Sequence, residues 1–279
     1  AILGKLISIN SIPLVWYRMF LAVFFVLLYF LIKKKRFSVD GKSLVKFILT
    51  GIIIALHWIA FFEAIKVSTI SIALVTMSTG AFFTSLIEPL FFKRRIKTIE
   101  IFLGLLVVGG LYIIFNFETQ YSLGILYALA ASLLSAIFSV LNGLFVKKND
   151  AEVISFYQLL FGGVFVTIFL FFTDGFSTDF FSLSNLDWFY LIILSSVCTA
   201  YAFIVSVKVM KYLTPYTVVL TTNLEPIYAI ILALLIFGDK EKMKTEFYFG
   251  AFIVLFVVLL NGIIKNRSAI HQKIKKNKK

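Results

Sequence analysis

The chain has one cysteine, Cys198, which excludes an intramolecular disulfide framework. It has two histidines, His57 and His271, too few for a His-rich metal centre. No G-x-x-x-x-G-K-[ST] loop occurs, which argues against direct drive by ATP. H-E-x-x-H and G-x-S-x-G are also absent, which counts against a metalloprotease or serine-hydrolase centre. Charge is scarce at 15% of residues and lopsided, with 27 basic residues against 14 acidic ones. The basic residues cluster at the ends of apolar runs, not in a patch suited to nucleic acid, so no nucleic-acid partner is expected. No cofactor or metal is expected either.

What the chain has in excess is apolar length. Hydrophobic residues make up 61% of it, mean hydropathy is +0.99 and there are 33 Phe. A soluble domain is nearer half apolar and much poorer in Phe. The composition specifies an all-α polytopic membrane protein, with the lipid bilayer as its surroundings. Nine spans are predicted, roughly at 12–32, 47–65, 70–92, 100–116, 123–146, 153–172, 188–207, 215–237 and 247–265. When the connections are placed on alternate sides, 21 basic residues fall on one side and 6 on the other. The positive-inside rule then puts the C-terminus in the cytoplasm, and the expected location is the plasma (bacterial inner) membrane.

Two stretches repeat one another. Residues 64–104 run from Ala64-Ile65-Lys66-Val67-Ser68-Thr69 to Glu100-Ile101-Phe102-Leu103-Gly104. Residues 209–250 run from Val209-Met210-Lys211-Tyr212-Leu213-Thr214 to Glu246-Phe247-Tyr248-Phe249-Gly250. The offset is 145 at the start and 146 at the end, so one residue is gained between. With the larger offset, Glu225 falls opposite Thr79 and Pro226 opposite Gly80. Residues 1–8 read as the outer end of a further span that has lost most of its length. Restoring it gives ten spans, five per half. An odd number per half forces the halves into opposite orientation, the inverted-repeat design of many transporters. The expected division is 1–120 and 121–265 for the two repeats and 266–279 for a basic cytoplasmic tail.

The motifs resemble those of EamA-type permeases of the drug/metabolite transporter superfamily. His57-Trp58-Ile59-Ala60-Phe61-Phe62-Glu63-Ala64 resembles the third helix of the first repeat in that family. Leu224-Glu225-Pro226-Ile227-Tyr228 resembles its ninth helix, and Gly238-Asp239-Lys240-Glu241 its G-E turn. In the first half Gly80 stands where Pro226 would be matched, and Lys93-Arg94 replaces the turn. The resemblance implies a ten-helix fold and transport of a small-molecule substrate, a metabolite, amino acid or drug-like solute, with no substrate named. It leaves monomer and homodimer both open. The competing readings are an intramembrane enzyme and a passive channel.

Polar groups at membrane depth are costly, so each is a candidate site residue. Glu225 leads, beside Pro226 and after Thr222 and Asn223. Pro226 lacks the N–H that residue 222 would accept, so the Thr222 carbonyl is freed for coordination. A carboxylate at that depth suits proton coupling. His57, Trp58 and Tyr201 complete the expected cavity. His57 could bind substrate or relay protons and could equally be a hydrogen-bonded packing residue; Trp58 reads as filler first, and otherwise could stack on an aromatic or cationic group. Glu63, Glu88 and Lys208 are candidate gates. Glu63 and Lys208 are expected at opposite membrane surfaces, where interfacial anchoring is the preferred reading over gating, and Glu88 is expected to pair with the Lys93-Arg94-Arg95 cluster. Ser132, Ser135 and Ser139 share one helix face and read as tight packing. Arg18, beside Trp16 and Tyr17, reads as an interfacial anchor in preference to an anion-binding group.

Overall fold

The computed structural model describes residues 1–34, 38–93 and 98–277. The described residues form helices joined by short connections, without strands. A short α1 (Ile2–Leu6) leads into α2 (Ser11–Lys33) and α3 (Gly41–Val67). The next crossing is split into α4 (Ile70–Met77) and α5 (Gly80–Phe92). Then come α6 (Thr98–Phe117), α7 (Ser122–Phe145), α8 (Ala151–Phe172) and the short α9 (Thr178–Phe181). α10 (Asn185–Ser195) passes through one π-helical turn, Ser196–Tyr201, into α11 (Ala202–Val209). A second split crossing consists of α12 (Pro215–Thr222) and α13 (Glu225–Phe237), and α14 (Thr245–Asn277) closes the order.

Among the described residues seven crossings are long and apolar enough to span a bilayer, and two shorter apolar stretches lie at Phe102–Phe117 and Thr245–Leu260. These match the nine predicted spans in order and place. The outer surface carries Phe24, Leu31, Leu105, Phe171, Phe172 and Leu235, all exposed. Such a surface is costly in water and normal against lipid, where every backbone group is already paired within its helix. α14 continues past the predicted end of its span into residues expected to form a separate tail. Its Lys, Gln and Ala there are good helix formers, so nothing stops the helix.

The packing repeats in the manner expected of an inverted duplication. α2 packs on α8, and α6 on α14, each pair being mates under the repeat. α4 packs on α13, and α12 packs correspondingly on α5. α3 lies on α8, as α10 and the π turn lie on α2. The two ends of the bundle sort the charges. Ser38, Lys147, Lys148, Asp150 and Lys211 meet around one cavity of ≈ 500 Å³ at the end rich in basic residues. There Asp40 caps α3 by accepting the Ser43 N–H at 3.0 Å, and bonds from Ser43 hold its carboxyl below the ordinary value. At the opposite end Lys5 reaches Glu241 at 2.6 Å, and Glu118 accepts the Lys244 N–H at 3.0 Å.

Close helix approach depends on glycine at the α3–α8 crossing. A Cβ on Gly51 would lie 2.5 Å from the Gln158 carbonyl oxygen, and one on Gly162 would lie 2.7 Å from the Gly51 carbonyl oxygen. Both obstacles are backbone, which cannot swing aside. Gly51→Val is therefore expected to destabilise the fold by about 1–3 kcal/mol, as overpacking does. A melting curve by size-exclusion recovery in detergent checks this. An unchanged midpoint would contradict the close approach.

Candidate functional site

The site begins where the two split crossings meet. Thr69 starts α4 by accepting the Ile72 N–H at 3.1 Å, and Thr214 starts α12 by accepting the Thr217 N–H at 3.2 Å. Each half-helix runs eight residues and stops. The breaks touch: Asn223 Nδ2 donates to the Ser78 carbonyl at 2.9 Å. On the other side of the first break, the Thr79 and Ser132 hydroxyls lie 2.8 Å apart, and Ser132 Oγ reaches the Met77 carbonyl at 3.3 Å. Ser132, read from its spacing as a packing residue, thus serves a carbonyl released where the helix ends.

This geometry corrects the predicted register. α4 and α12 end at Met77 and Thr222, α5 and α13 begin at Gly80 and Glu225, and they finish at Phe92 and Phe237. The smaller offset therefore holds through the whole broken crossing. Ser78 is the mate of Asn223, and Gly80 that of Glu225. The added residue lies in the connection beyond, where a loop absorbs an insertion most readily. Pro226 also acts differently from expectation. It does not interrupt a continuing helix but sits in the first turn of a new one, where its missing N–H has no intrahelical partner to lose.

Around the breaks lies a cavity of ≈ 690 Å³, within the range of about 300–1,000 Å³ usual for small-molecule sites. His57, Trp58, Tyr201, Thr222, Asn223, Glu225 and Pro226 all line it, so the residues expected to form a cavity do share one. The Glu225 side chain is 45% exposed, in the first turn of α13, where the helix dipole favours negative charge. Tyr201 and Tyr228 are largely exposed, so the cavity is open on the side those residues present. His57 is buried, and its Nδ1 lies 2.7 Å from the Ala131 carbonyl, which requires the proton on that nitrogen. Phe61 stacks on the His57 ring and Phe138 meets it edge-on. That is the hydrogen-bonded packing arrangement, placed at a cavity wall.

The reading of Arg18 as an anchor fails. Arg18 is 7% exposed, lines the cavity, donates from Nε to the Thr199 hydroxyl at 2.7 Å and lies 3.9 Å over the Trp58 ring. Trp58 therefore stacks on a cation of the protein itself. The signal was present in the sequence, an arginine well inside an apolar run, but Trp16 and Tyr17 beside it suggested an interface.

The candidate gates lie away from the cavity. Glu63 accepts the Ser11 hydroxyl near the end opposite the basic residues and, with Lys66, lines a separate cavity of ≈ 860 Å³. Lys208 is exposed in the last turn of α11, at the basic end. Glu88 is buried and accepts the Tyr216 N–H at 3.1 Å, at the start of α12. Of its expected partners, Arg94 and Arg95 lie outside the described residues. Sequence reasoning missed a counterpart at the other end. Glu241 accepts the Ile70 and Ser71 N–H groups at 3.1 Å each and the Ser71 hydroxyl at 3.1 Å, so it caps α4 as Glu88 caps α12. No local sequence signal joins residues that lie so far apart in the chain.

No curated protein matches the chain. A solved structure described only as "Crystal structure of protein" superposes with a TM-score of 0.67 at 13% identity, over 92% of this chain and 89% of that one, a likeness of fold alone. The model of the EamA-like transporter family matches residues 1–116 and 122–263. With a helical bundle of membrane-spanning length and a cavity where two broken helices meet, the chain belongs to the EamA-like transporter family.

Proposed function

We propose that the protein is a secondary transporter that moves a small solute across the plasma membrane by alternating access around the central cavity. One observation carries the reading: the cavity lies where two mated helix breaks touch, at Ser78 and Asn223. Broken helices at the meeting of inverted halves are where secondary transporters hold substrate. The halves at 1–120 and 121–265 would rock about this point. The basic end faces the cytoplasm, and with it the C-terminus, because the lysine and arginine excess collects there. Glu225 is the coupling carboxylate, exchanging a proton with the cavity during the return stroke.

Counterflow in proteoliposomes containing the full chain tests this. A panel of amino acids, amines and small carboxylates is presented as labelled solutes, with unlabelled solute inside. Saturable uptake that a second panel member competes away is the expected result. Flux that rises linearly with concentration and shows no counterflow would identify a channel and overturn the proposal. The intramembrane-enzyme reading gains no support from the cavity, which brings His57 to a carbonyl and to aromatic rings instead of to a nucleophile.

A further inference from the structure

Arg18 presents a problem that the fold by itself does not solve. It lies in the interior of a 23-residue apolar helix and is almost wholly buried. Among the described residues no carboxylate lies within ion-pair distance of it. A guanidinium at membrane depth without a counter-ion is costly, and such residues mark substrate paths.

Its surroundings hold it in place without neutralising it. The Trp58 ring lies 3.9 Å below the guanidinium carbon and the Phe62 ring 5.3 Å away. Nε is committed to Thr199 Oγ1 at 2.7 Å. Thr199 can accept because its own proton goes to the Leu194 carbonyl at 2.7 Å, a bond across five residues made available by the π-helical turn. Turns of this kind inside helices recur at functional sites. A guanidinium has five N–H donors in a planar fork, and four are left for an oxyanion. The same cavity contains Glu225, whose carboxylate is 45% exposed and lies 4.0 Å from the Ala1 ammonium, so an ammonium group already meets it there.

We infer that Arg18 and Glu225 together select a zwitterion. The carboxylate of an amino-acid-like solute docks on the Arg18 fork, and its ammonium docks on Glu225. The apolar part then lies against Phe61, Leu74 and Tyr228, which line the same space. This rests on the reading of the cavity as a transport site and adds the class of substrate. Arg18 supplies the anion contact, and Trp58 and Thr199 position it.

The chain contains its own reporter, because Cys198 is its one cysteine, is exposed, and lines this cavity. Alkylation of Cys198 by a maleimide is followed on the full chain in detergent with each of the twenty standard L-amino acids. At least one is expected to slow alkylation saturably. For the best of them, the decarboxylated amine and the deaminated acid are compared; for leucine these are isopentylamine and 4-methylpentanoate. Each single-charge analogue should protect at least tenfold more weakly. Arg18→Gln should abolish the advantage over the amine while leaving the advantage over the acid, and Arg18→Lys should restore part of what was lost. Melting curves identify a variant that fails to fold, and Arg18→Lys then carries the test alone.

Protection by none of the twenty, equal protection by the amine, or an unchanged ratio in both Arg18 variants would overturn the assignment. Counterflow of amines alone would leave the transport reading standing while this inference fell. Protection without any flux would do the reverse.

Discussion

Glu241→Ala is expected to lower the melting temperature of the purified protein by on the order of 10 °C. The carboxylate is 0% exposed and serves four donors: the Ile70 and Ser71 amides, the Ser71 hydroxyl and the Lys5 ammonium. Removing it strands the first amides of α4, which have no intrahelical acceptor. It also leaves Lys5 without its partner at 2.6 Å. Loss of one member of a buried ion pair costs about 3–5 kcal/mol, and a stranded buried amide about 1–3 kcal/mol, and the two effects are not additive. The controls separate them. Lys5→Met should cost less than Glu241→Ala, because the amide bonds survive. Glu241→Gln should fall between the two, since an amide oxygen can still accept one N–H. A melting point for Glu241→Ala within a degree or two of the parent protein would show that the contact does not brace the fold.

The same chemistry recurs at the far end of the molecule. Glu88 in α5 accepts the Tyr216 amide and so starts α12. Each broken helix is thus capped by a carboxylate from the other half of the chain, Glu241 at one end and Glu88 at the other. In the proposed cycle these caps hold the halves together, and opening either end means drawing one carboxylate away from its amides.

How much of this the sequence carries depends on range. The apolar runs announce the crossings, and the sequence clusters of lysine sort the connections to two sides, in keeping with Lys147, Lys148 and Lys211 gathered at one end of the bundle, because both are properties of contiguous segments. Gly80 and Pro226 mark the two breaks for the same reason. The register of the breaks was misjudged by one residue, since thin identity cannot tell whether an insertion precedes or follows Glu225. The structure can, because helix ends fall at matching positions through Phe92 and Phe237. Arg18 was misplaced because α2 is apolar on every side, so no stripe in its sequence marks the face turned inward. Glu88 and Glu241 were illegible as caps because their partners, Tyr216 and Ile70, are far away in the chain.

Glu225→Gln is expected to abolish accumulation driven by a pH gradient while leaving counterflow at a rate reduced tenfold or more. The substitution preserves size and hydrogen-bonding capacity and removes the charge. Glu225 lies in the first turn of α13, beside Pro226 and two residues past the contact that Asn223 makes between the breaks, so its backbone position is fixed by the helix start. A glutamine there still lines the cavity. What disappears is the group that can take up and release a proton, and with it the negative charge that the α13 dipole favours and that an ammonium would meet. Exchange of solute for solute needs only binding and rocking, so it survives with a raised KM. Accumulation needs the solute to move with a proton gradient, so it collapses to equilibrium. Proteoliposomes loaded at one pH and diluted into another read both quantities in one preparation. Accumulation that persists in Glu225→Gln, with its pH dependence intact, would remove Glu225 from the coupling step and leave the proton to another group on the cavity wall, such as His57, whose Nδ1 is committed to the Ala131 carbonyl and whose other nitrogen is not.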